Sequence, residues 1–397
     1  MQRVGIVIAL AIGLIAPFAV QAELKRADPA YLATIQDDDP FPLPRNLAPQ
    51  EINLPRAVAP RQPLAPPPGP VRAQAEYEAN DGILIRWGSY NALHTDMVVP
   101  LTTASPPSDV WIVVSGSSQQ ASATSVLQGG GADLNHVHFV IAPTDSVWIR
   151  DYGPRFVNDS GRRGIVDHTY NRPRPNDDLF PGVFGAQLDE PVYDMPLVHG
   201  GGNFHLFGNR DAYMTRLIVN ENPGLSEQDI LDYYAEYQGL DVTLTDPFPS
   251  CYDSTQHIDM WMLPLDDDEV IIGEYAAGEG CPGQPNTTGV PKSVTDATAS
   301  LMQSRGYTVY RTPGWRGSGT HFTYTNSVIV NNVVLICRFD GETTRNAQAL
   351  ATFQTALPDH EIVQVNCSGI IGASGAIHCI VMHVPDLLFR DEFDSEE

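Results

Sequence analysis

The stretch His257-Ile258-Asp259-Met260-Trp261-Met262-Leu263-Pro264-Leu265, then Asp266-Asp267-Asp268, then Glu269-Val270-Ile271-Ile272-Gly273, decides how this chain folds. Polar residues stand at its entry, and two apolar runs flank a short acidic turn. Such a pattern is a β-hairpin, with the turn at its tip. Three more tips follow the same rule: Asn158-Asp159-Ser160-Gly161, Gly208-Asn209-Arg210-Asp211 and Asn331-Asn332. Taken at Asp159, Asn209, Asp267 and Asn331, they are spaced by 50, 58 and 64 residues.

Helical patterns fall between the tips. Residues 226–237 open on a Ser226-x-x-Asp229 capping box, and residues 293–304 and 344–357 space Ala, Leu and Met or Phe at helical intervals. Each helix leads into a further strand, such as 308–311 or 361–365. The unit is strand–strand–helix–strand with a period near 60, and a body of about 310 residues holds five. The prediction is an α/β fold arranged as a pseudo-symmetric closed ring around a central site.

Polar groups recur just ahead of each tip, in what reads as the first strand of each hairpin: Asp151, His199 with Asn203, His257 with Asp259, and Asn326. Buried carboxylates and imidazoles are costly unless paired. One such group has an ordinary structural explanation; four repeats doing the same predict convergence on one pocket. Strand alternation in His257-Ile258-Asp259 puts both polar side chains on one face.

Composition limits the partners. Among 397 residues, 23 Lys+Arg face 48 Asp+Glu, a formal charge of −25. That excess repels nucleic acid and anionic lipid and attracts cations, including arginine-rich peptides. With 42% hydrophobic and 18% charged residues, the chain is a globular protein. Residues 1–22 read as an export signal, with Arg3, an apolar run and Val20-Gln21-Ala22. This predicts a secreted or periplasmic protein with no membrane span in the mature chain. Residues 23–75 form a Pro-rich N-terminal segment; 11 of the 31 residues from 40 to 70 are proline, which predicts an extended strap or linker. Residues 76–388 are the body, and 389–397 a solvated acidic tail.

Five cysteines, Cys251, Cys281, Cys337, Cys367 and Cys379, leave one over if an exported chain forms two disulfides. Cys379 is the best candidate for the odd one. It follows the small-residue run Gly372-Ala373-Ser374-Gly375-Ala376, which lets backbone approach a ligand, and it stands beside His378. A small buried thiol is the plain alternative; the setting favours a nucleophile. No run has metal-ligand spacing of a known kind, and no cofactor is expected: His136-Val137-His138 and Asp266-Asp267-Asp268-Glu269 read as solvated segments.

The run Asp145-Ser146-Val147-Trp148-Ile149-Arg150-Asp151-Tyr152-Gly153-Pro154, then Gly201-Gly202-Asn203, His257-Ile258-Asp259 and Gly375-Ala376-Ile377-His378-Cys379, resembles the bacterial peptidylarginine deiminase and agmatine deiminase family. The resemblance implies the five-bladed α/β propeller of the guanidine-modifying (pentein) enzymes. It also implies a thiolate nucleophile at Cys379, proton transfer by His257, guanidinium-binding carboxylates Asp151 and Asp259, and an active-site Asn326. Trp148, His199 and Asn203 are expected to line the substrate site, and Arg150 to be structural. The chemistry fits these types, since a planar cationic guanidinium is held bidentately by carboxylates and its delocalised carbon needs a thiolate to attack it.

Tyr170-Asn171-Arg172-Pro173-Arg174 resembles a segment of the secreted peptidylarginine deiminases, which implies that Arg172 and Arg174 hold the carboxylate of a C-terminal arginine. The small-molecule deiminases of the family generally carry Glu before Gly-Gly, where this chain has His199. The expected partner is an arginine-containing peptide or protein. Three other readings compete: a small-molecule deiminase or amidinotransferase, an inactive secreted binding protein of the same fold, and a thiol peptidase, which lacks the papain-like signature.

Overall fold

The computed structural model describes residues 24–55 and 65–386. The expected export signal and acidic tail lie outside the described residues. The described strands form five sheets, each built on one pattern. An antiparallel hairpin is followed by one or two helices, and the chain then returns to add a strand parallel to the second hairpin strand.

In the first unit Arg155–Asp159 pairs with Arg162–Tyr170 and Val192–His199 returns parallel. In the second, His205–Leu206 pairs with Asp211–Thr215, and Asp241–Thr245 returns. Met262–Asp266, Glu269–Glu274 and Thr308–Gly317 make the third. The fourth comprises Val328–Val330, Val333–Arg338 and Glu361–Asn366. The fifth draws on both ends of the body: Met382–Pro385 pairs antiparallel with Asn80–Arg86, and Asp109–Val114 returns parallel. All four quoted turns are hairpin tips, and five sheets of this pattern fit the five-bladed α/β arrangement of the pentein fold.

Physical chemistry explains the pattern unit by unit. The central strands are apolar on both faces because sheet neighbours and covering helices exclude water from each side. Ile271, Ile272, Val334 and Leu335 are fully buried, each worth about 1.5–3 kcal/mol in side-chain burial. Helix Val290–Ser304 buries Val294, Thr298, Ala299 and Met302, one stripe at helical spacing. Helix Glu227–Gln238 starts at Ser226, whose hydroxyl accepts from the Asp229 amide while Asp229 returns the bond. Disulfides Cys251–Cys281 and Cys337–Cys367 pin two loops, leaving Cys379 free and buried.

Two expectations change. The body starts before Glu76, because Val71–Ala73 pairs with Arg155–Asp159. The described part of the Pro-rich segment is a packed strap and not a linker. Tyr31 donates to the Val126 carbonyl, the Arg45 amide donates to the Ala373 carbonyl, and Arg45, Ala48 and Glu51 are buried.

Candidate active site

The sequence predicts the polar residues within the first hairpin strands; instead His199 ends the returning strand of the first unit, and the others lie in the short segments leading into the hairpins. Asp151 is on the single-turn helix Ile149–Tyr152, just before the first unit. Asn203 precedes the second. Ile258–Met260 is a 3-10 turn before the third, so the alternation predicted for His257-Ile258-Asp259 is absent. Asn326 precedes the fourth unit, and Cys379 lies in the turn His378–Ile380 before the fifth. Five units therefore deliver five entry segments. A short turn suits this job, because it exposes backbone amides and carbonyls that a strand would spend on its ladder.

What these segments surround is the side chain of Arg45, from the strap. Its Nε and Nη2 donate to Asp151 Oδ2 and Oδ1 at 2.9 and 2.8 Å. Its Nη1 and Nη2 donate to Asp259 Oδ1 and Oδ2 at 3.1 and 2.9 Å. Nη1 also donates to Cys379 Sγ at 2.7 Å, and Nη2 meets His257 Nδ1 at 2.8 Å. The two N–H groups of Nη2 serve the two carboxylates, and His257 Nδ1 stands beside them, 3.5 Å from Asp151 Oδ1. The cation is thus gripped by two carboxylates in fork geometry, with thiol and imidazole at different nitrogens.

Every member is buried: Arg45, His257, Asp259 and Cys379 are 0% exposed and Asp151 1%. Burial works against each charge, yet the facing charges outweigh it for the ion pairs. Asp151 and Asp259 sit below the ordinary carboxylate range because Arg45 overcomes their desolvation. Arg45 is correspondingly raised. Cys379 goes the other way: burial pushes its thiol well up, and the two aspartates add to this against the pull of Arg45. A cation in this pocket is what favours a thiolate here.

Backbone stitching fixes the cage. Gly202 donates to Asp151 Oδ1 at 3.0 Å, and the Asp259 amide donates to the Gly202 carbonyl at 3.2 Å. A Cβ on Gly202 would stand 1.7 Å from Arg45 Nη2, so only glycine lets the guanidinium in. A Cβ on Gly375 would meet Trp148 at 2.7 Å and Cys379 Sγ at 2.9 Å, as the small-residue loop leads one to expect. Asn326 accepts from the amides of Ala376 and His378 at 3.1 Å each and lies 3.1 Å from Cys379 Sγ through Nδ2, tying the loop to the thiol.

Other predicted residues land differently. Trp148 walls the pocket and donates from Nε1 to the Leu43 carbonyl at 2.8 Å. Arg172 donates to the Arg45 carbonyl at 3.0 Å, and Arg174 to the Pro44 and Asn46 carbonyls at 2.7 and 3.1 Å. Arg174 also forks onto Glu51, at 2.8 and 3.0 Å. Arg150 holds Glu76 at 2.6 Å and the His378 carbonyl at 3.3 Å, away from the guanidinium, as a structural residue should.

Asn203 and His199 do not reach the guanidinium. Asn203 spends its amide on Thr215 backbone and on the Ile258 amide, so it positions the His257 turn. His199 packs against His168 and Tyr234, with neither ring nitrogen partnered among the described residues. Burial, with His168 and Arg155, holds it far below the ordinary histidine range and therefore neutral. Nor does the His378 ring touch the thiol beside it in sequence. It bridges Asp259 Oδ2 at 3.0 Å and Glu76 Oε2 at 2.9 Å.

Sequence reasoning missed Arg45, Glu76 and Glu221. Glu76, whose desolvation is overcome by Arg150 and His378, lies well below its ordinary value and anchors His378 from outside the cage. Glu221 accepts from Asn171 at 2.6 Å and is raised by burial, though His257 pulls it back. Among the described residues, only Glu76, His205 and His378 approach one another as a metal set would, their ligand atoms within 4.8 Å. Arg150 already neutralises that carboxylate, which argues against a cation there.

A model of the Porphyromonas-type peptidyl-arginine deiminase family matches residues 72–385. The agmatine deiminase of Ectopseudomonas mendocina is 27% identical over 293 residues, covering 64% of this chain and 78% of that one. Among solved structures, the agmatine deiminase of Enterococcus faecalis superposes with a TM-score of 0.67 at 21% identity, over 83% of this chain and all of that one. The C. jejuni agmatine deiminase gives 0.64 at 18% identity, over 80% of this chain and 96% of that one.

Proposed function

The chain belongs to the Porphyromonas-type peptidyl-arginine deiminase family, and from that premise we propose that it converts peptide-borne arginine to citrulline and ammonia. One observation carries the choice of substrate. The guanidinium in the pocket belongs to a residue within a polypeptide, and Arg172 and Arg174 hold the backbone carbonyls around it. Agmatine has no carbonyl for them to hold. A C-terminal arginine would offer Arg172 a carboxylate oxygen in place of that carbonyl, a stronger partner. The export-type residues 1–22 and the two disulfides support action outside the cytoplasm.

The steps follow from the positions. Asp151 and Asp259 bind the substrate cation, whose charge helps the thiol ionise. Cys379 Sγ attacks the guanidinium carbon, and the proton displaced from the thiol passes through His257 to the leaving nitrogen. The carbon–nitrogen bond breaks, ammonia departs, and an S-alkylthiouronium keeps the positive charge. His257 then takes a proton from water, whose oxygen attacks the same carbon. The carbon–sulfur bond breaks, giving a neutral ureido group that two carboxylates hold poorly.

A second reading, agmatine as substrate, is favoured by the names of the relatives. Citrulline and ammonia release should be measured on peptides with C-terminal and internal arginine, free arginine and agmatine. Because Arg45 fills the pocket, the Arg45→Ala chain is assayed beside the unaltered one. Turnover of peptides above agmatine supports the proposal. Agmatine as the fastest substrate would overturn it.

A further inference from the structure

The strap makes more contacts than a lone side chain needs. The Arg45 amide donates to the Ala373 carbonyl at 2.9 Å, and Trp148 holds the Leu43 carbonyl. Arg172 and Arg174 grip the carbonyls of residues 44, 45 and 46. Glu51 folds back to accept from the Ala48 amide at 2.7 Å while taking the fork of Arg174. Guanidinium, backbone and a nearby carboxylate are all supplied by the chain itself. Pro40, Pro42 and Pro44 stiffen the approach, so little freedom remains to be lost on docking.

The register of Arg45 is that of an occupant, not a reactant. Sγ accepts from Nη1 at 2.7 Å. Attack on a planar guanidinium carbon comes along the normal to its plane, and a thiol accepting from an in-plane N–H is turned away from that path.

We propose that residues 43–51 are a tethered inhibitor: Arg45 fills the guanidinium pocket, Glu51 fills the anion site at its rim, and the site stays closed until the strap is lifted or severed. This rests on the reading of the pocket as a peptidyl-arginine site. Tethering makes the inhibitor's effective concentration high whatever the protein concentration, so a competing peptide must displace an intramolecular ligand. Removing the plug therefore returns the fraction of pocket it withheld.

The test compares the unaltered chain, Arg45→Ala, Glu51→Gln and Cys379→Ser. Alkylation of Cys379 by chloroacetamidine, a small amidine electrophile, is followed by mass spectrometry, and deimination by ammonia release. Arg45→Ala is expected to label at least about tenfold faster than the unaltered chain, and Glu51→Gln a few-fold faster, with Cys379→Ser unlabelled. A synthetic peptide of residues 43–51 should slow the labelling of Arg45→Ala, and the same peptide with alanine for arginine should not. Equal labelling of all three cysteine-containing chains overturns the plug, even if all deiminate peptides. Faster labelling with no turnover of peptide, arginine or agmatine keeps the plug and sinks the proposed activity. Should Arg45→Ala fail to fold, Glu51→Gln decides alone, since it leaves the guanidinium cage intact. Citrulline at position 45 of the purified chain also overturns the inference, because it makes Arg45 a substrate.

Discussion

The floor and the rim of the pocket both bind charge, but they are supported differently. On the floor, Asp151 and Asp259 are held by the body: Gly202 donates to one, and His378, backed by Glu76, reaches the other. At the rim, five of the seven guanidinium hydrogen bonds of Arg172 and Arg174 go to the strap, and the other two to the Asn171 carbonyl and the Tyr170 hydroxyl. The floor thus has anchors in the body besides the strap, and the rim takes most of its partners from the strap. On the proposed function, side-chain chemistry belongs to the first and recognition of the surrounding peptide to the second.

Four measurements sharpen or break that division, best made once the pocket is emptied by Arg45→Ala. The largest effect belongs to Cys379→Ser, which should lose about 10³-fold or more in turnover with the fold intact by circular dichroism. Retained turnover would end the covalent mechanism. Next, Asp151→Asn and Asp259→Asn should each cost about 10²-fold or more in kcat/KM on every guanidine tested, because the floor reads only the cation. Losses below tenfold in both would show that the floor is not the clamp. Arg172→Ala and Arg174→Ala should cost roughly tenfold on arginine peptides and far less on agmatine. Parallel losses on both substrates would erase the distinction between floor and rim.

The smallest effect is on stability. Glu76 is held below its ordinary value of 4.5 by Arg150 and His378. A carboxylate so lowered binds fewer protons folded than unfolded, so its contribution is complete above about pH 4.5 and drains as pH falls through the folded value. Thermal unfolding of Glu76→Gln should therefore match the unaltered chain more closely at pH 3 than at pH 7, where it should melt roughly 2–4 °C lower. A constant gap across that range would exclude the linkage.

Much of this was legible in residues. The hairpin tips follow from local turn chemistry, and the Ser226 capping box from a four-residue pattern, so both appear where the sequence puts them. Asp151, His257, Asp259, Asn326 and Cys379 are recognisable because polar groups ahead of apolar runs need a reason to be buried. Their backbone was harder: an entry turn and a strand share the same composition here, and only the five-fold assembly decides. His199 and Asn203 carry the same signal as the true clamp, yet one faces aromatic rings and the other a neighbouring backbone. Orientation about a turn has no periodicity to read. Arg45 left no trace, because a strap's register on a pocket is fixed by contacts with residues over a hundred positions away.

The pairing of Met382–Pro385 with Asn80–Arg86 has a consequence in time as well as space. Those strands lie about 300 residues apart, the longest loop closure any of the five sheets requires, and contacts of that separation form late. Cys379 sits immediately before the later strand. Asp151 and Asp259 can assemble from their own units, but the thiol joins them only when the last sheet zips shut. A chain in which that sheet has not closed would therefore hold the two carboxylates and the proposed nucleophile apart.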